Sequence, residues 1–525
     1  MSSTFSGYYL ARSGIQAARA NLQITGQNMA NVNTAGYSRQ RVDSSTVGPS
    51  GSNMRYASSE IGIGGGVMCD GVSQMRDPYL DIRYRAEHAL SGKTGTVSDV
   101  LDELENIFDE TKKDGITTQF SDFLKQLNSL ASTPSSYNQE NVVKSSARLL
   151  ANAFNNASQK LSDIRNTVTK EFQTDSILKA NQLVETIAHL NEEIKSADIS
   201  GTPALELMDQ RNTAIDQLSQ YAKIEVTSKT VPIGSSRTVS ELQVNLVSGD
   251  KKFNLVSSGN HSKFGTTTDA DGTIHLTLTD ADGKDVTSDG KTPLSNADIT
   301  QGSFSGYLTM LNETGEYDTS AKADHGIGYY QKVLDKLAGY FADTMNAANS
   351  TNTDGNNKPL FTTTNGKTSG ITASNICISD SWNKATSCYI TSTKQPADSG
   401  SDTSKLNDNI LLMVNKLSSS KTFTTDPNNN GGTTLFTSSI QSFISDVSIS
   451  ILALQRADVN RQDVTYNSTL NEIDAKRASI SSIDVNEEGI NLIMYNQALT
   501  ASSRFMTTLD EAMNTIINNM GIVGR

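Results

Sequence analysis

The two ends of this 525-residue chain carry the same apolar rhythm, and any fold must give both a partner. In the C-terminal stretch a strict three-four spacing selects Leu492, Tyr495, Leu499, Ser502, Met506, Leu509, Met513, Ile516, Met520 and Val523, with only Ser502 clearly polar. That is the seam of a coiled coil. In the N-terminal stretch the same spacing selects Tyr8, Ala11, Ile15, Ala18, Leu22, Thr25, Met29 and Val32, and neither stretch contains proline. A narrow apolar stripe does not stabilise a lone helix in water. The nearest available partner for each end is the other end, and beyond that neighbouring copies. The plainer alternative is a pair of terminal helices belonging to an ordinary globular domain.

Composition narrows the function classes. The length exceeds what one core supports, so several domains are expected. The balance of 44 Lys plus Arg against 57 Asp plus Glu leaves a net charge of -13 spread along the chain. Nucleic acid and anionic membrane both need a basic face, so neither is an expected partner. No apolar run approaches the roughly 20 residues that span a bilayer, and the first residues lack the basic start and apolar block of a cleaved signal. The expectation is a soluble chain without a Sec-type address, open to export routes that read an uncleaved N-terminus. Cys69, Cys377 and Cys388 are odd in number and form no CxxC pair, which argues against a disulfide framework or a zinc site. Cys377 and Cys388 are spaced to bridge one hairpin, although buried free thiols are the favoured state.

Along the chain, Asn31, Asn33 and Gly36 favour turn backbone and end the first helix. The run Ile61-Gly62-Ile63-Gly64-Gly65-Gly66-Val67 does not match a phosphate-cradling spacing, and no Lys-Ser or Lys-Thr follows it. A structural β-element is preferred there. Helical period returns with Val97, Leu101, Leu104 and Phe108, then Ile116, Phe120, Phe123, Leu127 and Leu130. In a longer segment Leu150, Phe154, Ala157, Leu161, Ile164 and Val168 keep one register, and Ala180, Val184 and Ile187 resume after a slip near Glu171 and Asp175. The slip argues for a long helix with several neighbours rather than one continuous seam. Gly201-Thr202-Pro203 breaks it. In the helix that follows, the charges of Leu207-Met208-Asp209-Gln210-Arg211 are placed to pair at helical spacing.

From about Glu225 to Gln301, short alternating runs such as Leu242–Leu246 and Thr273–Leu278 predict an antiparallel β-region, with Asp271-Gly272 and Asp282-Gly283 as turns. The carboxylates of Asp280, Asp282 and Asp285 lack EF-hand spacing, so turn chemistry is preferred over calcium. Helices return at Tyr307–Leu311 and Tyr329–Ala348. Around Trp382, Asn375–Ile378 and Cys388–Thr391 predict a small inserted hairpin. One long helix is expected from about Leu435 to Ile480, with Phe436, Ile440, Phe443, Val447 and Leu454, then Tyr466, Leu470, Ile473 and Ile480, turned inward.

Three stretches carry a family resemblance. Asn28, Asn31, Asn33 and Gly36-Tyr37-Ser38-Arg39-Gln40 resemble the N-terminal signature of the bacterial flagellar axial proteins, the rod, hook and hook-associated family. The Leu-x-Asp-Gln-Arg helix is similar to one in the hook-associated members. At the other end, the Val485-Asn486-Glu487-Glu488 turn, Asn491-Leu492-Ile493 and Ala501-Ser502-Ser503-Arg504-Phe505 resemble the same family, with Leu499 where relatives often carry tyrosine. The resemblance implies a structural subunit joining hook to filament. It also implies extracellular placement through the flagellum's own export apparatus, hook protein and a second hook-filament junction protein as neighbours, and an export chaperone on the C-terminal stripe. Copies of the chain would contact head to tail in a helical array. A rod or hook subunit and a secreted coiled-coil adhesin remain alternatives.

No catalytic or metal-binding pattern competes. His88, His189, His261, His275 and His325 form no HExxH pair, and no GxSxG elbow is present. No cofactor is expected. The predicted fold is mostly α with a β-rich insertion, a long helical bundle and a terminal coiled coil in nested, discontinuous domains. Residues 1–32 with 486–525 form the terminal domain, 33–225 with 302–352 and 405–485 the helix-rich core, 226–301 the β-rich insert, and 353–404 a small variable β insertion.

Overall fold

The computed structural model describes residues 6–48, 65–108, 115–201, 204–233, 237–257, 259–280, 282–286, 293–317, 324–350, 358–394, 406–426, 432–440, 442 and 447–519. Ile61–Gly64, Thr202-Pro203, the Phe443 position and Met520–Val523 lie outside these residues, as does the side chain of Phe108. The chain opens with helix α1 (Ser6–Ala30), then an antiparallel hairpin of β1 (Gln40–Val47) and β2 (Gly66–Gln74). Helices α2 (Pro78–Phe108), α3 (Ile116–Ser132) and α4 (Tyr137–Lys170) follow.

A π-helical turn, Glu171–Ser176, joins α4 without a break to α5 (Ile177–Ser200). The slip in apolar period falls on this turn. The extra residue lets Phe172 stay fully buried, stacked on Tyr307 at 5.3 Å and edge-on to Phe304 at 5.7 Å. Tyr137 to Ser200 at 1.5 Å per residue gives a rod of roughly 95 Å. Its first half buries Leu150, Phe154, Leu161 and Val168, and its second half buries Ala180, Val184 and Ile187, as the spacing predicts.

Helix α6 (Leu205–Leu218) leads into a four-stranded antiparallel sheet of β3 (Ile224–Ile233), β4 (Arg237–Ser248), β5 (Lys251–Ser257) and β6 (Asn260–His261), then a hairpin of β7 (Lys263–Thr268) and β8 (Ile274–Thr279). Val244 and Leu246 of β4 and Ile274, Leu276 and Leu278 of β8 alternate inward, as expected of half-buried strands. Asn181 on α5 fastens the hairpin by standing in for a strand: its Nδ2 donates to the Phe264 carbonyl at 2.9 Å and its Oδ1 accepts the Phe264 N–H at 2.7 Å. Gly272, at φ +86°, makes the β7–β8 turn. Asp280 spends one carboxylate oxygen on the backbone N–H groups of Asp282 and Lys284, which is the turn chemistry preferred over calcium.

Helices α7 (Ser303–Asn312) and α8 (Ile327–Asn349) close the core, where Phe341 meets Phe120, Phe123, Phe154 and Phe361 with ring centroids 4.8–6.3 Å apart. Strands β9 (Phe361–Thr363) and β10 (Ile376–Ile378) pair with each other. The expected partnership of Asn375–Ile378 with Cys388–Thr391 is therefore not made. The Tyr389 and Ile390 N–H groups instead donate to the buried Glu140 carboxylate at 2.9 and 3.3 Å, and the Trp382 indole N–H joins them at 2.9 Å. Trp382, in the short helix α9 (Asp380–Asn383), is fully buried, so this segment is pinned to α4 rather than displayed as an appendage. All three cysteines are free.

Helix α10 (Asp408–Ser418) precedes a hairpin of β11 (Lys421–Thr424) and β12 (Thr434–Ser438). The helix expected from about Leu435 does not begin there. Leu435 and Phe436 lie in β12, where Phe436 packs on Phe423 at 5.3 Å, because alternation and helical spacing coincide over so few residues. A second π-helical turn, Val447–Leu452, opens α11 (Ala453–Ser481), and α12 (Val485–Asn519) ends the described chain. Leu454 and Ile480 are exposed rather than inward, and only Ile473 of α11 is buried, because that helix meets α2 mainly through polar side chains.

Candidate assembly site where the two ends meet

Helices α1 and α12 run antiparallel and pack closely. A Cβ at Gly7 would lie 3.1 Å from the Leu509 side chain, one at Gly14 would lie 2.9 Å from Ser502 Oγ, and Tyr8 donates to Asp510 at 3.4 Å. The predicted stripes face each other. Ala11, Ala18 and Thr25 are buried, and Tyr8, Ile15, Leu22 and Met29 are half-buried against half-buried Tyr495, Leu499, Ser502, Met506, Leu509 and Met513. Three predicted seam residues fall outside it. Ile516 is 48% exposed because, with Gly7 level with Leu509, α1 runs out before reaching it. Leu492 is 37% exposed: an unsupercoiled helix drifts about 20° per heptad, which turns Glu488 and Asn491 inward in its place. Val32 is also exposed, beyond the end of α1. Met520 lies outside the described residues. Off the seam, α12 carries Ile490, Ile493, Met494 and Phe505 into solvent, and Val485 and Ile517 are exposed at its two ends.

The turn after α1 is built from its own side chains. Buried Asn28 acts as a strand surrogate for Gln40, donating to its carbonyl at 2.9 Å and accepting its N–H at 3.0 Å, and Tyr37 adds its hydroxyl at 3.2 Å. Asn31 closes the helix end onto the Gln27 carbonyl. Gly36 has φ +78°, and a Cβ there would meet Thr213 Oγ1 of α6 at 2.4 Å, so conformation and space both demand glycine. Asn33 is exposed in this turn.

The next three residues tie the turn to distant parts of the chain. Ser38 gives its N–H and its hydroxyl to the two oxygens of Asp209, at 2.9 and 2.7 Å. Burial pushes the Asp209 carboxyl above its ordinary value, opposed by Ser38 and by Arg76 at 3.5 Å. Arg39 spans to the C-terminal helix, with Nε 2.7 Å from buried Glu488 and Nη2 2.7 Å from exposed Glu487, while its N–H donates to the Ser481 carbonyl. Gln40 reaches Glu206 at 3.3 Å. Burial and the Glu206, Asp209 and Glu488 charges push the Tyr37 hydroxyl up to about 12.

Behind this layer, Asp216 of α6 accepts Arg85 at 2.6 Å and Arg477 at 2.5 Å, and Arg477 also binds Asp81 at 3.0 Å and lies over the Tyr84 ring at 4.2 Å. Burial works against the Arg477 charge, but Asp216 and Asp81 outweigh it and hold its pKa above the ordinary value. Asp81, Tyr84, Asp216 and Arg477 line a cleft of about 380 Å³ that also holds His88, whose pKa burial lowers. The charges of α6 do not pair along their own helix as expected. Residues two apart do not share a face, so Asp209 turns to Ser38 and Arg76 while Arg211 donates to the Asn191 side-chain Oδ1 at 2.9 Å. Burial and the nearby Arg85 lower Arg211 to about 10. Among the described residues no group of three His, Cys, Asp or Glu side chains is placed to hold a metal, and no helix is long and apolar enough to cross a membrane.

The knot thus unites the N-terminal motif with Glu487 and Glu488 of the C-terminal motif. Sequence spacing did not single out Arg76, Asp81, Asp209, Asp216, Arg477 or Glu488 as site residues, although Asp209 and Glu488 lie within family-like stretches.

Comparison with known proteins identifies the class. Residues 101–361 match the profile described as the flagellar hook-associated protein FlgK helical domain. Flagellar hook-associated protein 1 of Bacillus subtilis is 26% identical over 536 residues, covering all of both chains. The Escherichia coli protein of that name is 28% identical over 223 residues, covering 41% of this chain and 39% of its own. The flagellar hook junction protein FlgK of Burkholderia pseudomallei superposes with a TM-score of 0.40 at 22% identity, over 55% of this chain and 45% of the other. The profile and the full-length relative put the chain among the hook-associated proteins of the bacterial flagellum. Within that class it belongs to the hook-associated protein 1 family.

Proposed function

We propose that this chain is the structural subunit joining hook to filament, and that it works through its paired ends. The observation that carries the reading is the knot: Arg39 clasps Glu487 and Glu488 while α12 keeps Ile490, Ile493, Met494 and Phe505 exposed on the face off the seam. Such a face in water is a cost that a neighbouring subunit removes. Copies then stack head to tail in an open helical array, the terminal pairs lining the tube and the core and β-region lying outside it. The terminal domain of residues 1–32 and 486–525 is nested around the helix-rich core and its β inserts. Hook protein contacts the assembly from below and the second junction protein from above. An export chaperone covers the C-terminal stripe before the flagellar export apparatus moves the chain out of the cell. Its role is structural, not catalytic.

Deleting Leu492 to Arg525 tests the reading. Cells are expected to build hooks but carry no attached filaments in electron micrographs, whereas filaments of normal number and attachment would overturn the proposal.

A further inference from the structure

The seam between α2 and α11 is a ladder of polar rungs. Ser91 bonds Asn467 at 2.7 Å, Thr94 bonds Asp463 at 2.9 Å, Ser98 bonds Asn460 at 2.8 Å, Arg456 binds Asp102 at 2.5 Å and Glu105 at 2.7 Å, and Arg477 binds Asp81 at 3.0 Å. From Ser91 to Glu105 on α2 and from Arg456 to Asn467 on α11 the rungs recur every three or four residues, with the Arg477–Asp81 rung ten residues farther along each helix. Interdigitated apolar side chains fix a helix pair in one register, but a ladder of small hydroxyls against amides and carboxylates does not.

From this we infer that α11 is a sliding element with a second bonded register one helical turn along α2, toward the terminal domain. In that register the α11 groups of the ladder again meet partners on or beside α2, while the Arg477–Asp216 pair and the bonds of Gln455 to Tyr330 and the His325 carbonyl are given up. Arg477 reaches Asp77, Asn467 reaches Glu87, Asp463 reaches Ser91, Asn460 reaches Thr94, and Arg456 reaches Ser98 and Asp99. The step is about 5.4 Å, the size of known one-turn ratchets between packed elements.

Three further observations fit this motion. Ile473 is the single buried residue of α11, so little apolar packing resists the step. A groove of about 730 Å³, lined by Val97, Thr309, Gln455, Val459 and Tyr466 among others, leaves one flank of α11 unfilled. Slack is present at both ends: the π-helical turn Val447–Leu452 precedes α11, and the non-helical Ser482–Asp484 separates it from α12. Asp99 is the carboxylate that waits for the step. Among the described residues it has no ion pair, and burial with Asp102 and Asp463 beside it raises its pKa. Arg456 would supply the missing cation. A shift of α11 pushes directly on the link to α12, so the seam converts a sliding step in the core into a displacement of the paired ends.

The test uses the full chain with Cys69, Cys377 and Cys388 replaced by serine and one pair of cysteines introduced. Ser91→Cys with Asn467→Cys reports the present register, Ser91→Cys with Asp463→Cys the shifted one, and Ser91→Cys with Asn460→Cys is a control beyond reach of either. The shifted pair is expected to oxidise measurably. Its yield should rise several-fold when Asp102→Asn and Glu105→Gln remove the present partners of Arg456, and fall back when Asp99→Asn is added. Spin labels at exposed Tyr79 and Val464 read the same equilibrium without a disulfide, as a second distance component displaced by about one turn. A shifted pair that stays reduced in every background, a control pair that oxidises equally, or a single label distance would overturn the inference.

Discussion

Replacing Arg39 with alanine should loosen one helix and leave the rest of the molecule intact. Arg39 makes two contacts of unequal worth. The one to Glu487 ends on a carboxylate that is more than half exposed, where solvent screening reduces an ion pair to roughly 0–1 kcal/mol. The other ends on Glu488, whose side chain is 2% exposed. Removing one partner of a buried pair leaves a desolvated charge and costs about 3–5 kcal/mol. Because the knot lies at a surface junction, the lower half of that range applies, about 3 kcal/mol, or roughly a hundredfold in the opening equilibrium. Amide hydrogen exchange on the full chain reads this directly. Protection over Val485–Asn519 should drop about a hundredfold while the α4–α5 rod is unchanged, and the exchanged pair Arg39→Glu with Glu488→Arg should recover part of it. Unchanged protection of α12 in Arg39→Ala would refute the assignment of the clasp.

Four other outcomes are expected. Gly36→Ala should destabilise the chain by about 1–3 kcal/mol in urea unfolding through its positive φ and its approach to Thr213, with partial recovery when Thr213→Ala clears that contact. Glu140→Gln should cost about 2–4 kcal/mol, because an amide cannot accept all the N–H groups that converge there; unfolding followed by the single tryptophan, Trp382, which bonds Glu140 itself, would register it. The folded Asp209 carboxyl titrates above its ordinary value, so the folded state holds that proton to higher pH than the unfolded state, and the stability it contributes is lost as pH rises through the folded pKa. Native stability relative to Asp209→Asn should therefore grow as pH falls from neutral toward the ordinary carboxylate range, and a shrinking difference would contradict the cause assigned to the shift. Phe172→Ala should cost about 3–5 kcal/mol by calorimetry, since the side chain fills the π-helical turn with no exposed surface.

What could be read without coordinates was whatever a short period encodes. The middle of the α1 and α12 stripes, the inward faces of β4 and β8 and the interruption at Glu171 are set by residues a few positions apart, and these emerged where spacing placed them, whereas Val32, Leu492 and Ile516 at the stripe ends did not. Leu435 and Phe436 misled because two apolar neighbours satisfy a strand and a helix equally. Cys388–Thr391 misled because an alternating run says nothing about which acceptor its N–H groups will find, and here it was a glutamate some 250 residues away. The knot was half legible. Its turn-forming residues have local signatures, but Ser38 meets Asp209 and Arg39 meets Glu488 only once the whole core has folded between them.

The π-helical turn of the long rod also fixes an azimuth. One residue added to a helix rotates everything beyond it by about 100°, which is how a single rod shows one face to the helical bundle and another to the β-strands. Deleting a single residue between Glu171 and Ser176 would swing the whole β-region to a new bearing around the rod, whereas the same deletion in a surface loop would be absorbed there. Six residues thus set the compass heading of a domain they barely touch.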